Sequence, residues 1–368
     1  MPMPRLIMVG GFLGAGKTTL LAAAAARLAS QGKRVGLVTN DQAAGLVDSA
    51  LLKDGGSVVE EVPDGCFCCR FQDLVAAVER LEAVQSADVI LTEPVGSCTD
   101  LSATVLQPIK KLYAERFRLA PLSVLVDPGR LREAFEKPNP AGFPAQVLYI
   151  FRKQLEEADL LVLNKTDALA GAELESLRAL LRERFPGVPT FAISAAHGDG
   201  VDGWLEFVLE HQPAGTRITA VDYDEYVAGE AALGWLNASL RLRAGGDVDW
   251  GLFCWKLIDA MHRELQARAA EVAHLKIRLA TVGGAITASL TANRARPLLV
   301  GKIVGDPRGA ALLINARAHL DPQQLRSIVE SCLRTLAAEQ VEIVVEQMRS
   351  FSPSRPQPTH RFGCVVPA

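Results

Sequence analysis

The sequence predicts an α/β domain built on a parallel sheet with crossover helices, followed by a smaller α+β domain. Three observations predict it. Over about the first 210 residues, short apolar runs alternate with helical patterns, the rhythm of strand–helix–strand crossovers. Most of those runs are apolar throughout, as strands buried on both faces should be. After a linker, Gln212-Pro213-Ala214-Gly215-Thr216, the order becomes strand, helix, strands, helix, strand, which suits a ferredoxin-like sandwich.

Leu6–Val9 reads as the first strand. The next segment, Lys17–Ser30, is rich in Ala and Leu and reads as a helix that Gly32 stops. Val35–Thr39, Val89–Thr92, Leu122–Val126, Leu160–Asn164 and Thr190–Ile193 continue the parallel sheet. In the second half, Leu233–Arg243 reads as a strand and Trp250–Val272 as an amphipathic helix with Leu257, Met261 and Leu265 on one stripe. Strands at Leu275–Thr281, Ala285–Thr291 and Ala311–Ala316, a helix Gln323–Ala338 and a strand Val341–Gln347 complete it. The expected domains are 1–213 and 218–368, and the Pro-rich tail after Ser352 reads as extended.

Composition narrows the function. A net charge of −3 with no long run of Lys or Arg gives no electrostatic reason for a nucleic-acid partner. No apolar stretch reaches the roughly 18 residues of a membrane span. The apolar opening runs straight into a phosphate-binding motif rather than a cleavage site, so a buried strand and a cytoplasmic protein are expected. Seven cysteines in 368 residues are no disulfide scaffold. Cys66, Cys68 and Cys69 crowd into one segment while Cys98, Cys254, Cys332 and Cys364 are scattered, a pattern of metal or redox chemistry.

Gly11-Phe12-Leu13-Gly14-Ala15-Gly16-Lys17-Thr18 fits G-x-x-x-x-G-K-[ST] and sits after a strand and at the start of a helix, as a P-loop must. Gly11, Gly14 and Gly16 let the backbone turn its N–H groups onto phosphates, with Ala15 and Thr19 completing the loop. Lys17 is expected to reach the β- and γ-phosphates of the nucleotide and Thr18 to ligate Mg²⁺. Asn164-Lys165-Thr166-Asp167 ends another strand at the sheet's carboxyl edge. The Asp167 carboxylate can accept from guanine N1–H and the exocyclic amine, whereas adenine would leave it facing a lone pair, so GTP and GDP are the expected ligands. Lys165 would lie along the base, Asn164 would brace the loop, and Ser194-Ala195 would offer backbone N–H groups to guanine O6. Glu93 follows a strand where a Mg²⁺- and γ-phosphate-sensing acid belongs. Asp41, after the second strand, is placed to hold the attacking water. Each of these acids has a plainer reading as a helix cap.

Pro63-Asp64-Gly65 should turn the chain just before Cys66-Phe67-Cys68-Cys69. In an extended strand Cys66 and Cys68 would share a face and Cys69 the other; at the end of a turn all three converge. Three thiolates make a soft site for Zn²⁺ or another transition metal, with a fourth position open to water, Cys98 or a client's ligand. Buried small hydrophobes are the plainer reading.

With Gly10-Gly11-Phe12-Leu13-Gly14-Ala15-Gly16-Lys17-Thr18-Thr19, Gly65-Cys66-Phe67-Cys68-Cys69, Glu93-Pro94-Val95-Gly96 and Asn164-Lys165-Thr166-Asp167 in this order, the chain resembles the CobW-type P-loop GTPases. These are metallochaperone-like relatives of the hydrogenase and urease nickel-insertion GTPases. The resemblance spans roughly residues 5–210. It implies GTP hydrolysis coupled to delivery or insertion of a metal or metal cofactor, with zinc, cobalt and cobalamin-linked roles represented; intrinsic turnover is expected to be slow because no Gln or Arg is obviously placed to act on the transition state. The family's Asn-Glu-Phe-Gly-Glu after the second strand is here Asn40-Asp41-Gln42-Ala43-Ala44, so Ala44 replaces an acid. Six scattered His form no His-rich segment. Three functions follow from the whole: a GTPase metallochaperone; a switch GTPase that gates cofactor loading or reactivation of a cobalamin- or metal-dependent enzyme without carrying metal; and a thiol-redox-sensing adaptor. The expected partner is a client metalloenzyme or cofactor-dependent enzyme docked through the C-terminal domain, with homodimerisation left open.

Overall fold

Our computed structural model describes residues 3–42, 47–136, 142–337 and 341–367. Ala44 lies outside the described residues. The first sheet contains β1 (Arg5–Gly11), β2 (Val35–Asn40), β3 (Val58–Val62), β4 (Val89–Glu93), β5 (Arg118–Leu119), β6 (Ser123–Val126), β7 (Leu160–Leu163) and β8 (Thr190–Ala192). Every pairing in it is parallel, in the order β3-β2-β4-β1-β6-β7-β8, with β5 also on β1. Parallel strands need crossovers, and helices cover both faces, which is why β1, β4, β6 and β7 are buried along their whole length. Their carboxyl ends share one edge. That edge receives the P-loop, Asn40-Asp41, Glu93, Asn164 and Ser194.

Helix Lys17–Ser30 forms and stops where its residues require. Ala and Leu lose little side-chain freedom in a helix. Past it, Gly32 adopts φ 78°, and Lys33 N–H donates to Leu28 O at 3.0 Å, closing the end as a left-handed cap.

The second sheet holds β9 (Gly234–Ala244), β10 (Val272–Thr281), β11 (Gly284–Leu290), β12 (Leu298–Ile303), β13 (Gly309–Ala318) and β14 (Val341–Phe351). Its order is β12-β11-β10-β13-β9-β14, antiparallel throughout. Strands β14-β9-β13-β10, with helices Trp250–Ala267 and Pro322–Ala337, make the ferredoxin-like arrangement; the hairpin β11–β12 extends its edge. Helix Trp250–Ala267 ends five residues before the expected Val272. Ala269 turns left-handed, at φ 50°, and Ala270 N–H closes on Leu265 O, a cap that a non-glycine sequence does not advertise.

Period-two alternation gives the second sheet two working faces. Leu275, Ile277, Leu312, Ile314 and Ala316 enter the core beneath the two helices. His274, Lys276, Asn315 and Arg317 point the other way, onto the first sheet's carboxyl edge, where Asn315 Oδ1 accepts from Val47 N–H at 2.9 Å. Helix Tyr223–Ala231 and the segment after Phe351 also pack on the first half; Tyr226 belongs to its core. Among the described residues, no helix is long and apolar enough to cross a membrane.

The connection leaving β4 is held by buried polar groups. Gln154 donates to Gly96 O at 3.0 Å and Cys98 O at 2.8 Å. Glu157 accepts from Ser102 N–H at 2.8 Å and from the Thr99 hydroxyl at 3.2 Å. Burial pushes Glu157 up to about 8, so it is held as the neutral acid across the range where an unfolded Glu is ionised. A raised carboxyl pKa stabilises the fold most below the unfolded pKa near 4.5, and the benefit is lost as pH rises to the folded value. Glu157→Gln should therefore flatten the decline in unfolding free energy between pH 5 and 7.5, by up to about 1.4 kcal/mol per pH unit. Urea melts at several pH values measure this; parallel pH profiles for the two proteins would reject a neutral Glu157.

Candidate nucleotide and thiol sites

Between the first sheet's carboxyl edge and the second sheet lies a cavity of about 540 Å³, a size that suits a small-molecule ligand. Gly14, Gly16, Lys17, Thr18, Thr19, Asp41, Glu93, Asn164, Lys165, Asp167 and Ala195 line it, as the sequence reading grouped them. Gly11, Ala15 and Ser194 do not line it but bond residues that do: Gly11 O accepts from Lys17, Ala15 O from Asn164, and the Ser194 hydroxyl donates to Asp167. Gly16 must be glycine twice over: its φ is 98°, and a methyl would collide with the Asn164 amide. Asn164 ties two motifs together, donating to Ala15 O at 2.8 Å and accepting from Ala195 N–H at 2.9 Å.

Inside, Lys17 Nζ donates to Gly11 O at 3.0 Å and lies 3.8 Å from Glu93. Burial lowers the Lys17 pKa and raises Glu93 to about 7 despite the neighbouring ammonium. The Thr18 hydroxyl is 3.0 Å from Glu93 Oε2 and 2.8 Å from Asp48 Oδ1. Two carboxylates and a hydroxyl around one point form a hard oxygen donor set that fits Mg²⁺. At the other end Lys165, left-handed at φ 61°, reaches Asp127 at 2.7 Å, and Asp167 accepts from the Ser194 hydroxyl at 2.6 Å. Asp167 is exposed to the cavity mouth, where a base would sit.

Asp41 is differently engaged from a free water-holding acid. Its Oδ2 accepts from Arg317 at 2.8 Å and its Oδ1 from Gln42 N–H at 2.6 Å. Burial raises its pKa while Arg317 opposes the rise.

The sequence reading missed the cavity's roof. Lys276 pairs with Asp48, and against the effect of burial it holds that carboxyl down, to about 2. His274, Thr291, Arg296 and Arg317 complete the roof, and burial together with the nearby cations keeps His274 neutral. The only signal was alternation of polar with apolar residues, His274, Lys276 and Arg278 in β10 and Asn315 and Arg317 in β13, which also describes a solvent-facing strand.

A second cluster lies beside the first. Cys69 N–H and Arg70 N–H both donate to Cys66 O, at 3.0 and 2.9 Å, so the segment is a turn leading into helix Phe71–Gln85. The turn brings the three sulfurs within 4.8 Å of one another, with Cys66 Sγ 2.6 Å from Cys68 Sγ and 3.3 Å from Cys69 Sγ. A tetrahedron of 2.3 Å Zn–S bonds has edges of about 3.8 Å, so this donor set can take zinc once the Cys66 and Cys68 sulfurs part by about 1.2 Å. Hydrogen bonds within the cluster raise Cys69 to about 11 and Cys68 further still. Asn40 anchors the turn, donating to Val62 O at 2.7 Å and Gly65 O at 2.6 Å and accepting from Phe67 N–H at 2.9 Å.

The C-terminal segment straps this cluster. Gln357 N–H donates to Cys69 Sγ at 3.1 Å and Thr359 N–H to Cys68 O at 2.9 Å. The His360 ring meets Phe71 edge-on at 5.1 Å, and Arg361 bonds Asp100 at 2.7 Å. Truncation after Ser354 should therefore raise the reaction rate of Cys69 with a thiol-specific label several-fold at constant fold content by circular dichroism. An unchanged rate would mean that the strap does not shield the thiol.

Residues 5–191 match the family model for the CobW/HypB/UreG nucleotide-binding domain. The zinc chaperone YeiR of Escherichia coli is 30% identical over 210 residues, covering 55% of this chain and 58% of YeiR. The zinc chaperone CobW of a Sinorhizobium species is 28% identical over 211 residues, covering 52% of this chain and 59% of that protein. The chain thus spans under two thirds of the length of these curated relatives. Among solved structures, Zn(II)-bound YjiA GTPase from E. coli is similar over 90% of this chain and 99% of its own, at 16% identity and a TM-score of 0.38. With its family model matched over half its length, the chain belongs to the CobW/HypB/UreG family.

Proposed function

We propose that this protein is a GTP-hydrolysing metallochaperone that carries Zn²⁺, or a similar thiophilic metal, on Cys66, Cys68 and Cys69 and delivers it to a client enzyme. One observation carries the reading: Asn40 and Asp41, adjacent in the chain, serve the two sites at once. Asn40 holds the cysteine turn while Asp41 lines the nucleotide cavity, so a change at one site is felt at the other. The names of the zinc-chaperone relatives support zinc as cargo.

In this reading the P-loop amides and Lys17 cradle the phosphates, and Asp167 selects guanine. Thr18 and Glu93, helped by Asp48, are the residues that would hold Mg²⁺, which neutralises charge on the phosphate oxygens when bound. Asp41 positions the attacking water only after releasing Arg317, which accords with slow intrinsic turnover. Residues 1–213 serve as the GTPase module. Residues 218–368 serve as the client platform and as the roof that reports nucleotide state through Lys276 and Arg317. Those contacts would equally serve a switch GTPase that carries no metal, the second reading.

Zinc titration against a chromophoric chelator separates the two. The triple change of Cys66, Cys68 and Cys69 to Ser should abolish stoichiometric zinc binding and, with both proteins metal-free, leave GTP affinity within about twofold. Absence of stoichiometric zinc binding in the unmodified protein would favour the switch, and retained zinc affinity in the variant would reject the three-cysteine site. Asp167→Asn exchanges an acceptor for an amide, so GTP should bind at least about tenfold more weakly while xanthosine triphosphate gains. Equal competition by ATP in the unmodified protein would refute the guanine assignment.

A further inference from the structure

The second sheet does more than cover the nucleotide cavity, because it places a cation at the phosphate end. Strand β10 is paired on both sides, with Lys276 opposite Ser289 of β11 and Asn315 of β13, so its backbone is fixed. Leu275 and Ile277 enter the core, and alternation sends Lys276 the other way, to the cavity wall. There its ammonium donates to Asp48 Oδ1, the same oxygen that accepts from the Thr18 hydroxyl at 2.8 Å. Two hydrogen bonds end to end put the ammonium within about 6 Å of that hydroxyl. Lys17 and Thr18 reach this end of the cavity from the P-loop, and Lys276 reaches it from the other half of the chain.

The roof's two ion pairs are built differently. The Arg317 side chain is fully enclosed, and Leu236 O and Ala316 O hold it as well as Asp41 does. The Lys276 side chain is 18% exposed, and among the described residues its hydrogen bond goes to Asp48 alone, through an oxygen already shared with Thr18. A lysine is a point charge on a flexible four-carbon stem, so a change of acceptor needs side-chain rotation and no movement of the sheet. Arg317 is anchored; Lys276 is free to exchange its partner.

We propose that Lys276 is a catalytic residue for GTP hydrolysis, exchanging Asp48 for a γ-phosphate oxygen and offsetting the charge carried there in the transition state. The inference deepens the GTPase reading and rests on it. A water oxygen bonds to the γ-phosphorus while the bond from that phosphorus to the β–γ bridging oxygen breaks. The electron pair of the broken bond stays with GDP, and the water's proton passes to solvent. Lys276 keeps its own proton throughout and contributes only charge and a hydrogen bond. Such a contribution is needed because the transferring group spreads its charge over three oxygens, and Lys17 covers only part of it. Asp48 is not stranded by the exchange, since it stays beside Thr18, one of the residues that would hold Mg²⁺.

Steady-state hydrolysis by the full-length protein, with GDP binding measured beside it, tests this. Lys276→Gln keeps a donor for Asp48 and removes the charge, whereas Lys276→Met removes both. Each should lower kcat for GTP about 10²-fold, while GDP, which has no γ-phosphate, binds within about twofold of its unmodified affinity. Lys276→Arg keeps the charge and should turn over at least about tenfold faster than Lys276→Met. Aluminium fluoride, which with GDP mimics the transferring phosphoryl group, should tighten GDP binding in the unmodified protein and not in Lys276→Gln. A kcat for Lys276→Gln within about twofold of the unmodified value would overturn the catalytic role and leave the GTPase reading intact. So would a fall in kcat matched by an equal fall in GDP affinity, the mark of a residue that only clamps the roof. Absence of GTP turnover in the unmodified protein would refute the GTPase reading and this inference with it.

Discussion

The buried pair of Asp41 and Arg317 is the constraint on which the arrangement of the two sheets depends. Arg317 is 1% exposed, donates to Leu236 O and Ala316 O, and lies over the Trp235 ring at 4.1 Å. Such a cation cannot be left without an anionic partner, since removing one partner of a buried pair costs about 3–5 kcal/mol. The second sheet is therefore bound to the residue that follows β2, and β2 leads into the segment between the two sites. Its contribution is specificity of docking more than net stability, because desolvating both charges offsets most of their attraction.

A second pair, Lys276 with Asp48, repeats the design at the start of helix Val47–Asp54. Both acids belong to the stretch between β2 and β3, and both cations to neighbouring antiparallel strands, β10 and β13. The roof of the nucleotide cavity is thus clamped to one stretch of the first half at two points. A polyanionic ligand entering there competes with Asp41 and Asp48 for the same cations. Phosphate binding and release can loosen the clamps without deforming either core, which is how packed proteins change state.

The parallel sheet was legible because buried strands and crossover helices write their period directly into the chain, and because Gly16, Lys17 and Asn164 admit few substitutes. The ferredoxin-like order was legible from element sequence alone. What escaped was decided by long-range neighbours. Strand β3 is a half-exposed edge, with Glu60 and Glu61 breaking its apolar pattern. Strand β12 is mostly exposed and is held by pairing to β11. The end of helix Trp250–Ala267 turns on the backbone of Ala269, an alanine doing what glycine usually does. Of the candidate sites, the thiol convergence followed from Pro63-Asp64-Gly65 turning the chain. The cationic roof did not follow, because a face that packs on another domain alternates polar and apolar residues just as a face in water does. Likewise Asp41 read as free, since nothing local announces a partner 276 positions away.

The energy needed to join the two sites is small. A tenfold effect of nucleotide on metal affinity would take about 1.4 kcal/mol, and metal would then change nucleotide affinity by the same factor. A single hydrogen bond to a charged group contributes about 1.5–3 kcal/mol, so the Thr18–Glu93 contact alone is of sufficient size. The polar lock on the β4 connection, from Gln154, Glu157 and Glu230, then has a definite consequence. A rigid connection would pass any displacement of Glu93 along the chain, whereas a slack one would dissipate it as disorder. The buried carboxyls of Glu157 and Glu230, both raised to about 8 by burial, are held mainly as the neutral acids and so keep the lock together without a buried charge.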